Sequence, residues 1–372
     1  MSTMRLIHCA DLHLGAKMTA NLDAKRAKER RDELLLTFGD IVATAARMEA
    51  RAVLIAGDLF DTSRVTVSTR RHVGQLITDY ADICFIYVSG NHDRDVQPLF
   101  PEDRLPQNWV DLSGEVWTSV TLSWDGLPIT ISGTSGTEHA EIYECVPAAP
   151  GYHIVMLHGE VTPSASVGRD VVSLSRLSGK GIDYLALGHE HSYRAETLDA
   201  RGIWCYSGCP EGRGFDECGE KGIVVLELNK DLSSPTGVSM QQRFLPIARR
   251  TVHRLQVDAC DCDNDRALWR CIESAAGDIP REDMLLLTRV GEISAERDVD
   301  SESLERRLSE HFFAVKVDNR TTLALHAEDY LHDISLKGEF IRTVMASKLS
   351  PTERDRVILC GLRALRGEEA EL

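Results

Sequence analysis

The chain has 372 residues, 43% of them hydrophobic and 27% charged, and a formal net charge of −16. That size supports a large core plus smaller modules, and no apolar run approaches the roughly 20 residues needed to cross a bilayer. The acidic balance departs from the basic footprint of a freestanding nucleic-acid binder, and the start, MSTMRLIHCAD, lacks the apolar core and cleavage site of a signal peptide, so a cytoplasmic chain is expected.

The first strand-like run, MRLIH, leads into CADLHLG with Asp11 and His13. A helix is expected next, with Leu34, Leu35, Phe38, Ile41, Val42 and Ala45 at helical spacing. AVLIA delivers AGDLFD (Asp58, Asp61), a second helix is expected from about Val67 to Tyr80, and ICFIYVS delivers SGNHD (Asn91, His92, Asp93). This βαβαβ order implies parallel strands. Short strands are expected within 115–133. YHIVM then leads to MLHGE with His158, IDYLAL leads to LGHEH with His189 and His191, and GIVVLELN closes the region.

LSSPTG (Leu232–Gly237) is rich in Pro, Gly and Ser and reads as a domain edge. Beyond it, TVHRLQV, DRALWRCIESA, DMLLLTRVG, SLERRLSEHF and AVKV spell a small β-α-β-α-β module. Residues 335–367 hold two amphipathic helices. One carries Phe340, Ile341, Val344 and Met345 on a face, and the other carries Val357, Ile358, Leu362 and Leu365. Ser350-Pro351-Thr352-Glu353 is a capping box with proline at the first helical position, and Gly367 is a stop signal. The expected domains are 1–237, 238–333 and 334–372. The ten cysteines include no CxxC pair, so free thiols are expected.

Parallel strands that each deliver a polar residue at their carboxyl ends place those residues along one rim of a sheet, where ligand sites form. The set comprises carboxylates, imidazoles and one carboxamide without thiolate, which suits manganese, magnesium, iron or zinc. Seven candidate ligands are too many for one tetrahedral ion. Two ions can clamp an in-line displacement at phosphorus, and Asp58 is the natural bridging carboxylate. Asp93 reads as a loop-fixing residue and Glu190 as pointing away. His8, His72, His139, His153 and His253 have no motif around them and read as structural.

The segments DxH, GDxxD, GNH, H and GHxH resemble the calcineurin-like metallophosphoesterase superfamily, and every element is present. The resemblance implies an α/β fold: a two-sheet sandwich flanked by helices, with a small α+β capping domain and a C-terminal helical pair. It also implies that Asp11, His13 and His191 hold one metal, that Asp58 bridges, and that Asn91, His158 and His189 hold the other. His92 would be the general acid, oriented by Asp61. HCADLHLG, GDLFDT and SGNHDR resemble the SbcD-type DNA-repair nucleases, and YSGCPEGRGFDECGEKG with LKGEFIR and GLRALRGEE resembles their YhaO-like branch. The SbcD-type family implies manganese-favoured hydrolysis of DNA phosphodiesters, as an exonuclease that can also have endonuclease activity, in a two-component DNA-repair complex. It further implies an SMC/ABC-type (SbcC-like) ATPase partner on the C-terminal helices, and allows a homodimer.

Two other readings stay open, a phosphodiesterase or phosphatase for a small phosphoester and a non-cleaving regulatory scaffold. Lys25, Arg26, Lys28, Arg30 and Arg31 read either as a solvated helix face or as DNA-phosphate contacts. Arg213 reads either as a phosphate contact or as a loop salt bridge. The two tail stripes can pack on each other, as the residues alone favour, or face a partner, as the resemblance implies.

Overall fold

Strand-like runs, the central ones buried on both faces, build two six-stranded sheets in the computed structural model, which describes residues 3–365 except 19–21, 62–64, 95–97, 261, 263–264, 294–300, 324–329 and 331. The chain divides into two units, Met1–Thr251 and Val252–Leu372. With strands numbered along the chain, the first sheet runs in space β14 (Val238–Pro246), β13 (Gly222–Lys230), β1 (Thr3–Cys9), β2 (Ala52–Ala56), β3 (Cys84–Val88), β4 (Trp109–Asp111). The second runs β11 (Arg194–Thr197), β12 (Ile203–Tyr206), β10 (Tyr184–Gly188), β7 (Tyr152–His158), β6 (Leu127–Gly133), β5 (Thr118–Trp124). β8 (Glu160–Thr162) and β9 (Val171–Ser173) form a separate short ribbon. β1 to β4 are parallel, as are β6, β7, β10 and β12.

Alternation along each strand sorts the side chains into layers. Leu6, Leu54, Ile86 and Leu226 meet Ile131, Ile154, Met156 and Ala186 between the sheets. Ile7, Val53, Ile55 and Phe85 face the other way, toward α1 (Ala24–Arg47) and α2 (Val67–Asp79). The expected stripe of α1 is the buried one, with Leu34, Phe38, Ile41, Val42 and Ala45 inside. This helix begins earlier than its apolar pattern, because Asp23 caps it by accepting from the amides of Lys25 and Arg26 at 2.9 and 2.8 Å. Two short helices, α3 (Glu141–Glu144) and α4 (Leu174–Leu177), contribute to the core on the outer side of the second sheet.

The expected domain edge is placed differently. Leu232–Gly237 is the turn of the β13–β14 hairpin, whose paired residues run from Gly222↔Pro246 to Lys230↔Val238. Proline, glycine and serine serve hairpin turns and linkers alike, so the composition of 232–237 does not separate the two. The first unit continues to Thr251.

In the second unit, β15 (Val252–Asp258), α5 (Asp265–Ala275), β16 (Met284–Val290), α6 (Ser301–Leu308) and β18 (Ala314–Asn319) follow the expected order. The strands pair in parallel as β15-β16-β18, so this small module is made of βαβ units. β17 (Glu292–Ile293) and β19 (Thr322–Leu323) form a two-stranded extension. The tail forms α7 (Leu336–Met345) and α8 (Pro351–Leu365). The capping box is made as expected: the Ser350 amide and hydroxyl donate to Glu353 Oε2 at 2.8 and 2.6 Å. Gly367 lies outside the described residues.

The tail stripes are turned on each other. Ile341, Val344, Ile358 and Leu362 are buried together, with Phe340, Met345 and Val357 beside them. Ile358→Ala is expected to destabilise the pair by about 2–5 kcal/mol. Hydrogen exchange should show lost protection across α7 and α8 while the strands of the first unit keep theirs.

Candidate metal centre

All five chemistry-bearing segments leave the carboxyl ends of neighbouring strands: β1, β2 and β3 in the first sheet, β7 and β10 in the second. The loops after β1 and β2 are sewn together by main-chain bonds from Asp11 N to Gly57 O (3.1 Å) and from His13 N to Asp58 O (2.9 Å). Asp11, His13, Asp58 and His189 all sit at positive φ, between 44° and 109°. Such backbone is costly for residues with a Cβ and concentrates at functional sites. Gly57 (φ 91°) has a further constraint, because a Cβ there would collide with the imidazole of His158.

The side chains converge. Asp11, His13 and His191 offer ligand atoms within 4.8 Å of one another, and so do Asp11, Asp58 and His158, and His13, Asp58 and His92. Nε2 of His13 and Nε2 of His191 face each other at 3.3 Å. Oδ1 of Asn91 is 2.9 Å from Nε2 of His158 and 3.4 Å from Nδ1 of His189. Oδ2 of Asp58 stands between the two halves, 3.6 Å from Nε2 of His13 and 3.5 Å from Nε2 of His158. Its other oxygen accepts the His92 amide at 2.9 Å.

Three of the imidazoles, His13, His158 and His191, have their orientation set from behind, as metal-ligating imidazoles require. Nδ1 of His158 donates to Ala56 O at 2.9 Å. Nδ1 of His191 lies 2.7 Å from Oε1 of Glu217, and Nδ1 of His13 lies 3.2 Å from Oδ1 of Asp61. The buried carboxylates and imidazoles act on one another. Burial pushes the Asp11 carboxyl up to about 7. Burial would also raise Asp58 and lower His158, yet their mutual hydrogen bond prevails, leaving Asp58 below the usual carboxylate range and His158 at about 9. Oxygen and imidazole donors at these spacings, with one shared carboxylate oxygen, fit two divalent ions.

His92 differs from the rest. Its side chain is 41% exposed. Its Nδ1 donates to the main-chain carbonyl of Asp61 at 2.7 Å, and its ring stands edge-on to His13. The expected partnership with Asp61 is therefore made through the backbone. The Asp61 carboxylate is 4.0 Å from His92 and closer to His13. Asp93 fixes its loop as expected, accepting from the amides of Leu59, Phe60 and Gly90 at 3.1, 2.9 and 3.1 Å. Glu190 is exposed, His8 bonds Tyr184, His153 bonds Ser132, and His253 pairs with Asp283.

Among the basic candidates, Arg30 is fully buried against Glu33 and Glu211 and donates to Gly212 O, so it faces no ligand. Arg26 pairs with Asp23, Lys28 with Asp32, and Arg31 donates to Lys17 O. Arg213 makes the loop salt bridges, to Asp61 at 3.3 Å and Glu217 at 3.1 Å. Sequence reasoning missed Glu217 and Lys221, whose ammonium donates to His191 O at 2.7 Å. The available signal was a pair of opposite charges four residues apart, Arg213 and Glu217, inside a Gly-rich loop after His191.

Residues 4–193 match the family model described as calcineurin-like phosphoesterase. Similar curated proteins each bear the name DNA double-strand break repair protein Mre11. The one from Sulfolobus acidocaldarius is 25% identical over 353 residues, covering 89% of both chains. That from Aeropyrum pernix is 25% identical, covering 69% of this chain and 64% of its own. The Haloferax volcanii protein is 26% identical, covering 65% and 52%. Among solved structures, a dimetal phosphatase from Danio rerio aligns at 10% identity with a TM-score of 0.40, covering 66% of this chain and 98% of its own.

Proposed function

The chain belongs to the calcineurin-like phosphoesterase family of metal-dependent hydrolases, and from that premise we propose that its substrate is DNA and its role a repair nuclease. The observation that carries the hydrolytic part is the single Asp58 oxygen standing between two clusters of oxygen and imidazole donors. The DNA part is supported by the similarity to repair proteins along most of the chain. In this reading Asp11, His13 and His191 hold one ion, Asn91, His158 and His189 the other, and Asp58 both, with manganese as the metal. Two ions held there would supply positive charge to the phosphoryl oxygens and make a water acidic enough to attack near neutral pH. The residues themselves do the rest. His92, held at Nδ1 by the Asp61 carbonyl, keeps Nε2 free at the exposed rim to give a proton to the leaving oxygen.

The retained ligand set and His92 argue against a non-cleaving scaffold. The test offers the purified chain with manganese linear duplex, single-stranded DNA, an aryl phosphodiester and an aryl phosphomonoester. Degradation of DNA and of the diester supports the nuclease. Turnover of the monoester alone would replace it with a small-molecule phosphatase.

We further propose that the α7–α8 hairpin docks an ATPase coiled coil. Because the inner stripes are spent on each other, contact would fall to the outward apolar residues, of which Leu336, Leu349 and Leu365 are exposed. No described helix is long and apolar enough to cross a membrane.

A further inference from the structure

We propose that Arg213 is a positioning residue that ties the carboxylates behind His13 and His191 into one frame, so that one ion of the pair depends on it and the other does not. The inference rests on the binuclear reading above. Nη1 of Arg213 lies 3.3 Å from Oδ1 of Asp61, the same oxygen that stands 3.2 Å from Nδ1 of His13. Its Nη2 and Nε lie 3.1 and 3.3 Å from Oε1 of Glu217, the oxygen that holds Nδ1 of His191 at 2.7 Å. The Arg213 amide also donates to the other Glu217 oxygen at 2.7 Å. A planar guanidinium presents its N–H groups in a fixed fork. It therefore sets the spacing of two carboxylates that arrive from distant parts of the chain, and through them, with its own Nη2 3.2 Å from Nδ1 of His191, the spacing of two imidazoles.

The loop carrying this brace has a fixed base. Glu211, buried, accepts from Arg30 Nη1, Thr37 Oγ1 and the Arg249 amide at 2.9, 2.9 and 2.8 Å. The other half of the centre is held differently. His158 is oriented by the main-chain carbonyl of Ala56 in β2, which shifts only with the sheet. Two carboxylates against one guanidinium leave the brace net negative, so it orients the ligands without cancelling their attraction for a cation.

Arg213→Lys separates geometry from charge, because an ammonium keeps the charge but cannot fork to both carboxylates. Glu217→Gln removes the other end of the same brace. Manganese titration of wild type and both variants should resolve two binding steps. The expected result is that one step weakens by about 10–100-fold in each variant, the cost of losing a partner behind a ligand, while the other stays within about twofold. At two equivalents of manganese, electron paramagnetic resonance should change from a spin-coupled pair to isolated ions. Melting in excess chelator should be unchanged. The inference is overturned if both steps weaken together, with or without earlier melting in chelator, or if neither moves. A wild type that binds only one ion overturns the binuclear reading itself.

Discussion

Asp58→Asn is expected to reduce bound manganese from two ions per chain to one or fewer and to take DNA hydrolysis below detection. The substitution is nearly isosteric. Asparagine keeps an oxygen for the His92 amide, which Asp58 accepts at 2.9 Å, so the loop after β3 stays anchored. What it loses is the second anionic oxygen, the one within 3.6 Å of both His13 and His158. Without that oxygen each half of the centre keeps its own ligands and nothing joins them. Metal analysis after manganese loading, with activity on the same sample, checks this. Two retained ions with turnover near wild type would remove Asp58 from the bridging position.

His92→Gln should keep both ions and lose about 10²–10⁴ in turnover on DNA, the usual cost of a positioned general acid. The ring is exposed and its contacts are few, so the fold has little to lose. The effect should depend on the leaving group. An aryl phosphodiester departs without a proton, and on that substrate the variant should approach wild type. Equal losses on both substrates would assign His92 to metal binding or folding instead. Asp61 separates the two explanations: its carbonyl serves His92 and its carboxylate serves His13.

The converging carboxylates, carboxamide and imidazoles were legible in the sequence because metal chemistry acts residue by residue. A carboxylate, carboxamide or imidazole must stand where a strand ends, often beside a glycine that permits the turn. The helices were legible from their stripes, and α8 from its capping box. What stayed hidden depended on the chain returning to itself. Glu217 follows His191 by 26 residues, and nothing in that interval announces that its carboxylate comes back to the imidazole. Arg30 reads as a surface cation because a basic run usually is one. Its burial is set by Glu211, 181 residues away. The domain edge at 232–237 was misplaced for a related reason: turn chemistry is local, while the pairing of β14 with β13 is not. The tail stripes were found except for Leu365, which is exposed, and a stripe alone does not say which surface covers it.

The place of β1 in its sheet has a consequence for how the protein is made. β1 is bordered by β2 on one side and on the other by β13, with Thr3 opposite Asn229, 226 residues along the chain. During synthesis, at about 5–20 residues per second, β1 waits roughly 10–45 s for that second neighbour. Throughout this interval it presents an unpaired, hydrophobic edge, the kind that invites pairing with other chains. The candidate ligands at residues 11 to 191 will all have been translated before β13, the strand that completes the sheet of β1, β2 and β3. A nascent chain stalled before residue 222 should therefore be protease-sensitive and bind no manganese pair, and one that extends past β14 should gain protease resistance and manganese binding together.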